Sequence, residues 1–90
     1  MSFNTLAELY QHFDELVEQG ADGDILFASS YLRGFIALAG SEFGDESQLL
    51  SKALADNISA KVYEARAELT PNDRILVNDF WQTIAIKFTI

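Results

Sequence analysis

The sequence predicts an all-α protein, a compact antiparallel four-helix bundle, on three observations. Apolar residues recur every three or four positions along most of the 90 residues, which is the period of a helix with one buried face. One Pro, five Gly and few clustered β-branched residues favour helix over strand. Three punctuating stretches, GADGD at 20–24, GSEFGD at 40–45 and LTPND at 69–73, leave four segments with short connections.

The first segment, residues 5–19, places Leu6, Leu9, Tyr10, Phe13, Leu16 and Val17 on one face. Thr5 with Glu8 three residues later reads as a capping box, and Gly20 as the stop. The second, 24–39, starts at Asp24 as N-cap. The third, 45–68, carries Leu50, Leu54, Ile58, Val62, Ala65 and Leu69 in a stripe. The fourth opens with Thr70-Pro71-Asn72-Asp73: a cap, a proline in the first turn and an acid at the third position. Its stripe is Leu76, Val77, Phe80, Trp81, Ile84 and Phe88, which makes Trp81 a core residue. Residues 84–90 also alternate with the period of a strand, but no partner edge is evident, so a helix fraying at its end is expected.

Length fits one helical domain, residues 1–90. Net charge is −8, and residues 1–46 hold nine acids against one base while residues 47–90 hold five of each. An acidic field of this kind repels phosphate backbones and anionic lipid, so neither nucleic acid nor a membrane surface is the expected partner. No apolar run reaches the roughly 18 residues of a membrane span, and no basic region precedes an apolar core at the N-terminus. A cytoplasmic location is the expectation. The absence of Cys removes disulfides, thiolate zinc sites and thiol nucleophiles together.

One stretch stands apart. LFASSYLRGFIALAG, residues 26–40, holds a single charge, Arg33, the first base in the chain. Its neighbours one helical turn away are Ser29, Ser30, Ile36 and Ala37, so no local carboxylate can pair with it. On a helical wheel, Phe27, Ala28, Tyr31, Leu32, Gly34, Phe35, Leu38 and Ala39 form the apolar arc, with Ser29, Ser30, Arg33 and Ala37 opposite. A helix with so little charge is expected to be covered on most sides, with Ser30 and Gly34 admitting a close neighbour. The guanidinium then seeks an acid on the first helix, Asp79, or a group on a partner.

LFASSYLRG also resembles the signature of the YfcL-like family of small bacterial proteins. A second block, LTPNDRILVNDFW at 69–81, is similar to that family's C-terminal pattern through Thr70-Pro71, Asp73, Leu76-Val77, Asp79 and Trp81. The resemblance implies a compact, mostly helical protein of unestablished function, and it transfers no catalytic residues.

Catalytic and metal constellations are thin. Glu8, His12, Glu15 and Gln19 line one helix side at ligand-like spacing, but that side lies opposite the apolar stripe, where a solvated polar face belongs. His12 with Ser29 or Ser30 lacks a third member and a nucleophile elbow. The acids of GADGDIL and FGDES match neither a phosphate cradle nor a calcium loop. No cofactor or metal is therefore expected. Ile75 and Ile86, eleven residues apart on the side of the fourth helix away from Leu76 and Phe80, offer a second apolar strip. The expectation is a small acidic, non-enzymatic interaction module that binds another protein or forms a weak homo-oligomer. Arg33, Ser29, Ser30, Ile75 and Ile86 are its candidate contacts. The alternative is an anionic ligand in an interhelical pocket of Tyr31, Arg33, Tyr63 and Trp81.

Overall fold

The computed structural model describes residues 4–88. Four α-helices follow one another: α1 Leu6–Glu18, α2 Gly23–Phe43, α3 Lys52–Glu64 and α4 Pro71–Ala85, with a single 3₁₀ turn at Arg66–Glu68 before α4. Among the described residues there is no strand, only an isolated antiparallel bridge between Thr5 and Leu49. The fold is all-α. Its Cα extents, 32 × 31 × 19 Å, describe a slab about two helices thick.

The caps form where side-chain oxygens stand ready to accept the first free N–H groups. Thr5 Oγ1 accepts from the Glu8 N–H, and the Glu8 carboxylate accepts from the Asn4 and Thr5 N–H groups, both at 3.0 Å. The capping box is thus formed as expected. Gly20, at φ +70°, takes the left-handed position past the end of α1 that a side chain resists. Thr70 caps α4 by accepting from the Asp73 N–H, with Pro71 at the first helical position. The start of α2 differs from expectation: Asp22, not Asp24, is the cap, accepting from the Asp24 N–H at 2.7 Å. Either aspartate could serve, and the helix takes the earlier one, which adds two residues at its start.

The third segment is the larger correction. Residues 45–51, expected as helix, form a connection that turns at Glu46 and Ser47, and α3 begins only after Ser51, whose hydroxyl accepts from the Leu54 N–H. The connection runs back along the start of α1. There the Leu6 N–H donates to the Gln48 carbonyl at 3.0 Å and the Ala7 N–H to the Glu46 carbonyl at 2.7 Å, while the Leu50 N–H donates to Asn4. Helix starts leave four N–H groups without intrahelical acceptors. At α1 the connection supplies two acceptors, Thr5 Oγ1 accepts from the Glu8 N–H, and the Glu8 carboxylate accepts from the Thr5 N–H.

The core is one cluster: Leu6, Leu9 and Phe13 of α1; Ala28, Leu32, Ile36 and Ala39 of α2; Leu50; Leu54, Ile58 and Val62 of α3; and Val77, Trp81 and Ile84 of α4. Helix α2 packs against the other three. It is central but not sheathed, which corrects the sequence expectation. Ala28, Ser29, Leu32, Ile36, Ala39 and Gly40 are buried, whereas Ser30, Gly34, Ala37, Leu38 and Ser41 face outward. Leu38 apart, these are serine, glycine and alanine, whose exposure forfeits little apolar burial, so most of the face needs no cover despite its lack of charge. Gly34 has nothing near it, and the close approach occurs instead at Gly40, where a Cβ would lie 2.7 Å from Leu6 Cδ2.

At the other end, α4 stops at Ala85 and the chain turns. The Phe88 N–H donates to the Ala85 carbonyl, and the buried Phe88 ring meets the Trp81 ring edge-on at 5.5 Å. Residues 84–88 are therefore helix end and turn, and 89–90 of the proposed alternation lie outside the described residues.

Candidate functional site

Arg33 finds its acid on α1. Its Nη1 lies 2.7 Å from Asp14 Oδ1, and its guanidinium carbon sits 4.9 Å from the centre of the Tyr10 ring. Side-chain exposures of 41% for Arg33 and 64% for Asp14 make this a surface pair, clipped across α1 and α2. Ser29 is buried, and its hydroxyl donates to the Leu26 carbonyl one turn back. Ser30 is exposed beside it. Tyr31 packs between Phe27 and Phe35 along α2. These residues do not assemble a pocket with Tyr63 and Trp81.

The cleft that Tyr63 and Trp81 do share lies between α3 and α4 and has a volume of about 280 Å³. Val62, Leu69, Val77 and Trp81 supply its apolar lining, and Ser59, Asn78 and Gln82 its polar positions. The Trp81 Nε1–H donates to Ser59 Oγ at 2.8 Å, so the indole is fixed across the helix pair. The cations at this cleft are Arg66 and Arg74. Arg66 Nη1 donates to the Tyr63 carbonyl at 2.6 Å, with the guanidinium carbon 3.7 Å above the centre of the Tyr63 ring. Arg74 Nε donates to the Arg66 carbonyl at 2.8 Å.

Neither arginine forms an ion pair among the described residues, whereas Arg33 pairs with Asp14, Lys52 with Asp56 and Lys61 with Glu42. The Lys61 ammonium, hydrogen-bonded to Glu42, holds that carboxyl below its usual range. The signal that singles out Arg33 also marks both arginines. Arg66 has Val62, Tyr63, Leu69 and Thr70 at the helix-neighbour positions, and Arg74 has Thr70, Pro71, Val77 and Asn78. None is acidic. Lys87 shares the feature at the end of the chain.

Ile75 on α4 and Ile86, the C-cap just past its end, are 59% and 71% exposed. Among the described residues no three His, Cys, Asp or Glu side chains gather as metal ligands would. Burial, partly offset by Glu15, pushes the His12 imidazole down.

The YfcL protein family matches this chain over residues 3–86. The chain belongs to that family. The YfcL relative from Escherichia coli (strain K12), whose name reads "Uncharacterized protein YfcL", is 36% identical over 73 residues, which is 79% of this chain and 78% of the relative. No solved structure matches. Both blocks behind the sequence resemblance fall inside the YfcL match. They play different parts: LFASSYLRG builds the hub helix, and LTPNDRILVNDFW supplies the cap of α4 and one wall of the cleft. No helix among the described residues is long and apolar enough to cross a membrane.

Proposed function

We propose that the protein is a small non-enzymatic interaction module, and that the surface it offers is the outer strip of α4, which takes a second copy of the chain. One observation carries this. Ile75 and Ile86, each more than half exposed, stand at the two ends of a strip whose inner positions are Asp79 and Gln82. The spacings along it, four, three and four residues, read the same in both directions. Laid antiparallel on itself about a twofold axis, the strip sets Ile75 against Ile86 of the other copy twice over. Each Asp79 carboxylate meets a Gln82 amide that can donate to it. An isologous contact demands self-complementarity of that kind. One helix face per copy buries less than the roughly 1,200 Å² of a standard interface, which puts the contact in the transient class.

Sedimentation at a series of concentrations tests the proposal. The wild type should show a rising weight-average mass, and Ile86→Asp, a change at an exposed position, should stay monomeric with an unaltered helical spectrum. A wild type that remains monomeric throughout removes the second copy as occupant.

A further inference from the structure

We infer that the α3–α4 cleft is a binding site for a small amphipathic anion, an oxyanion such as a phosphate or carboxylate carried on a single apolar ring or short chain. Arg66 and Arg74 receive the charge, and Val62, Val77 and the edge of Trp81 receive the apolar body. This goes beyond the interaction module: the cleft and the outer strip share Gln82 on α4, but the cleft rests on Arg66 and Arg74 and the strip on Ile75 and Ile86, so either proposal can fail alone.

Four features converge. Both guanidiniums border one cleft of about 280 Å³, close to the lower end of the range for ligand pockets. Both are held in place by uncharged partners: Arg66 by the Tyr63 carbonyl and ring, Arg74 by the Arg66 carbonyl. A guanidinium carries five N–H donors, and only one is used on each, so the rest remain for an acceptor. Preorganised donors of this kind lose less freedom when they grip a planar oxyanion. Beneath them the lining is apolar, with Ser59, Asn78 and Gln82 at the edges for orientation.

The size of the anion follows from the charge of the whole chain. At net −8 the protein repels a polyanion over its full length. A compact group with one or two charges feels the two nearby guanidiniums most, because screening dampens charges more than about 10 Å away. A nucleic acid or a long acidic segment gains the same two contacts and meets far more repulsion.

Trp81, the single Trp of the chain, lines the cleft and reports on it directly. The test titrates the full chain with phenyl phosphate and, in a separate arm, phenylacetate, following Trp81 fluorescence. Inorganic phosphate and benzyl alcohol serve as the charge-only and ring-only probes. Saturable change with either ring-bearing oxyanion, at least about tenfold tighter than with both controls, supports the site, and the tighter arm identifies the acid group. Arg74→Gln should weaken that binding by about tenfold or more, the usual weight of a charge-assisted hydrogen bond. Arg74 also braces the 3₁₀ turn, so Asn78→Asp is the second variant. It leaves both arginines in place and changes only an exposed helix position while setting a carboxylate in the cleft, and it should weaken binding to a similar degree with an unchanged melting temperature. No saturable response in either arm, equal binding of benzyl alcohol, or full binding by a folded Asn78→Asp protein overturns the site.

Discussion

Replacing Arg33 with Met removes the lone base of α2 while keeping most of its apolar stem, and the structure sets the cost. The Asp14 pair is short, at 2.7 Å, but both partners are more than a third exposed. Exposed pairs are worth about 0.2–1 kcal/mol. The Tyr10 contact, at 4.9 Å, adds about 0.5–1 kcal/mol at a surface. Retained packing of the stem leaves a net loss of about 1 kcal/mol, which for a domain of this size lowers the melting temperature by roughly 4–8 °C. A double-mutant cycle with Asp14→Asn should return a coupling of about 0.5 kcal/mol that shrinks in about 1 M salt, because a solvent-exposed pair is screened. Arg33→Met should also leave the phenyl phosphate titration unchanged, since its guanidinium is engaged across α1 and α2. A loss above about 3 kcal/mol would mark a buried charge left without its partner. That result, or a lost anion response, would refute the assignment of Arg33 as a surface clip.

Gly34→Ala, where nothing lies within 4 Å, should stabilise α2 by about 0.5–1 kcal/mol, whereas Gly40→Ala drives a methyl into the buried Leu6 and should destabilise by about 1–3 kcal/mol. Chemical denaturation of the two variants, read side by side, checks the contrast, and effects of equal sign would contradict the packing at Gly40. The Glu8 carboxyl is held below its ordinary value of 4.5, chiefly by the Asn4 and then the Thr5 N–H groups. A depressed folded value contributes stability that is present above the ordinary value and lost as pH falls through the folded one. Glu8→Gln should therefore flatten the acid limb of a melting-temperature profile below about pH 4.5, and an unchanged limb would deny Glu8 that role.

The helices and caps were legible because they are local. Thr5 with Glu8 and Thr70 with Asp73 place donor and acceptor within one turn, and no distant residue is needed to complete them. Residues 45–51 were misread because their conformation is decided elsewhere. Leu50 continues the stripe of α3 in sequence, yet the connection's carbonyls are recruited by unsatisfied N–H groups at the start of α1, more than 35 residues away. A Gly44-Asp45 pair and Ser51 three residues before Leu54 were the available signs of a break. The partner of Arg33 was placed on the first helix among the candidates, but the choice of Asp14 depended on how α1 and α2 cross. The cleft was half legible. Tyr63 and Trp81 were assigned to one pocket, and the cation was sought on α2 because its stretch was conspicuously uncharged. The arginines that border the cleft sat among acids in sequence, at positions that do not face them.

That contrast bears on which arginine matters. Acids outnumber bases in this chain by 14 to 6, so a scarcity of carboxylates explains no unpaired cation. Lys52 and Lys61 each find an acid, as does Arg33 across a helix interface. Arg66 and Arg74 stand among Glu64, Glu68 and Asp73 and are held by backbone carbonyls and a tyrosine ring instead. Any of those acids moved to the residue three or four positions from an arginine would pair it at the cost of one substitution. A chain rich in acids that keeps two guanidiniums together, braced and unneutralised over an apolar cleft, has the arrangement that an incoming anion requires. Conspicuous though Arg33 is in the sequence, its charge is already answered by Asp14.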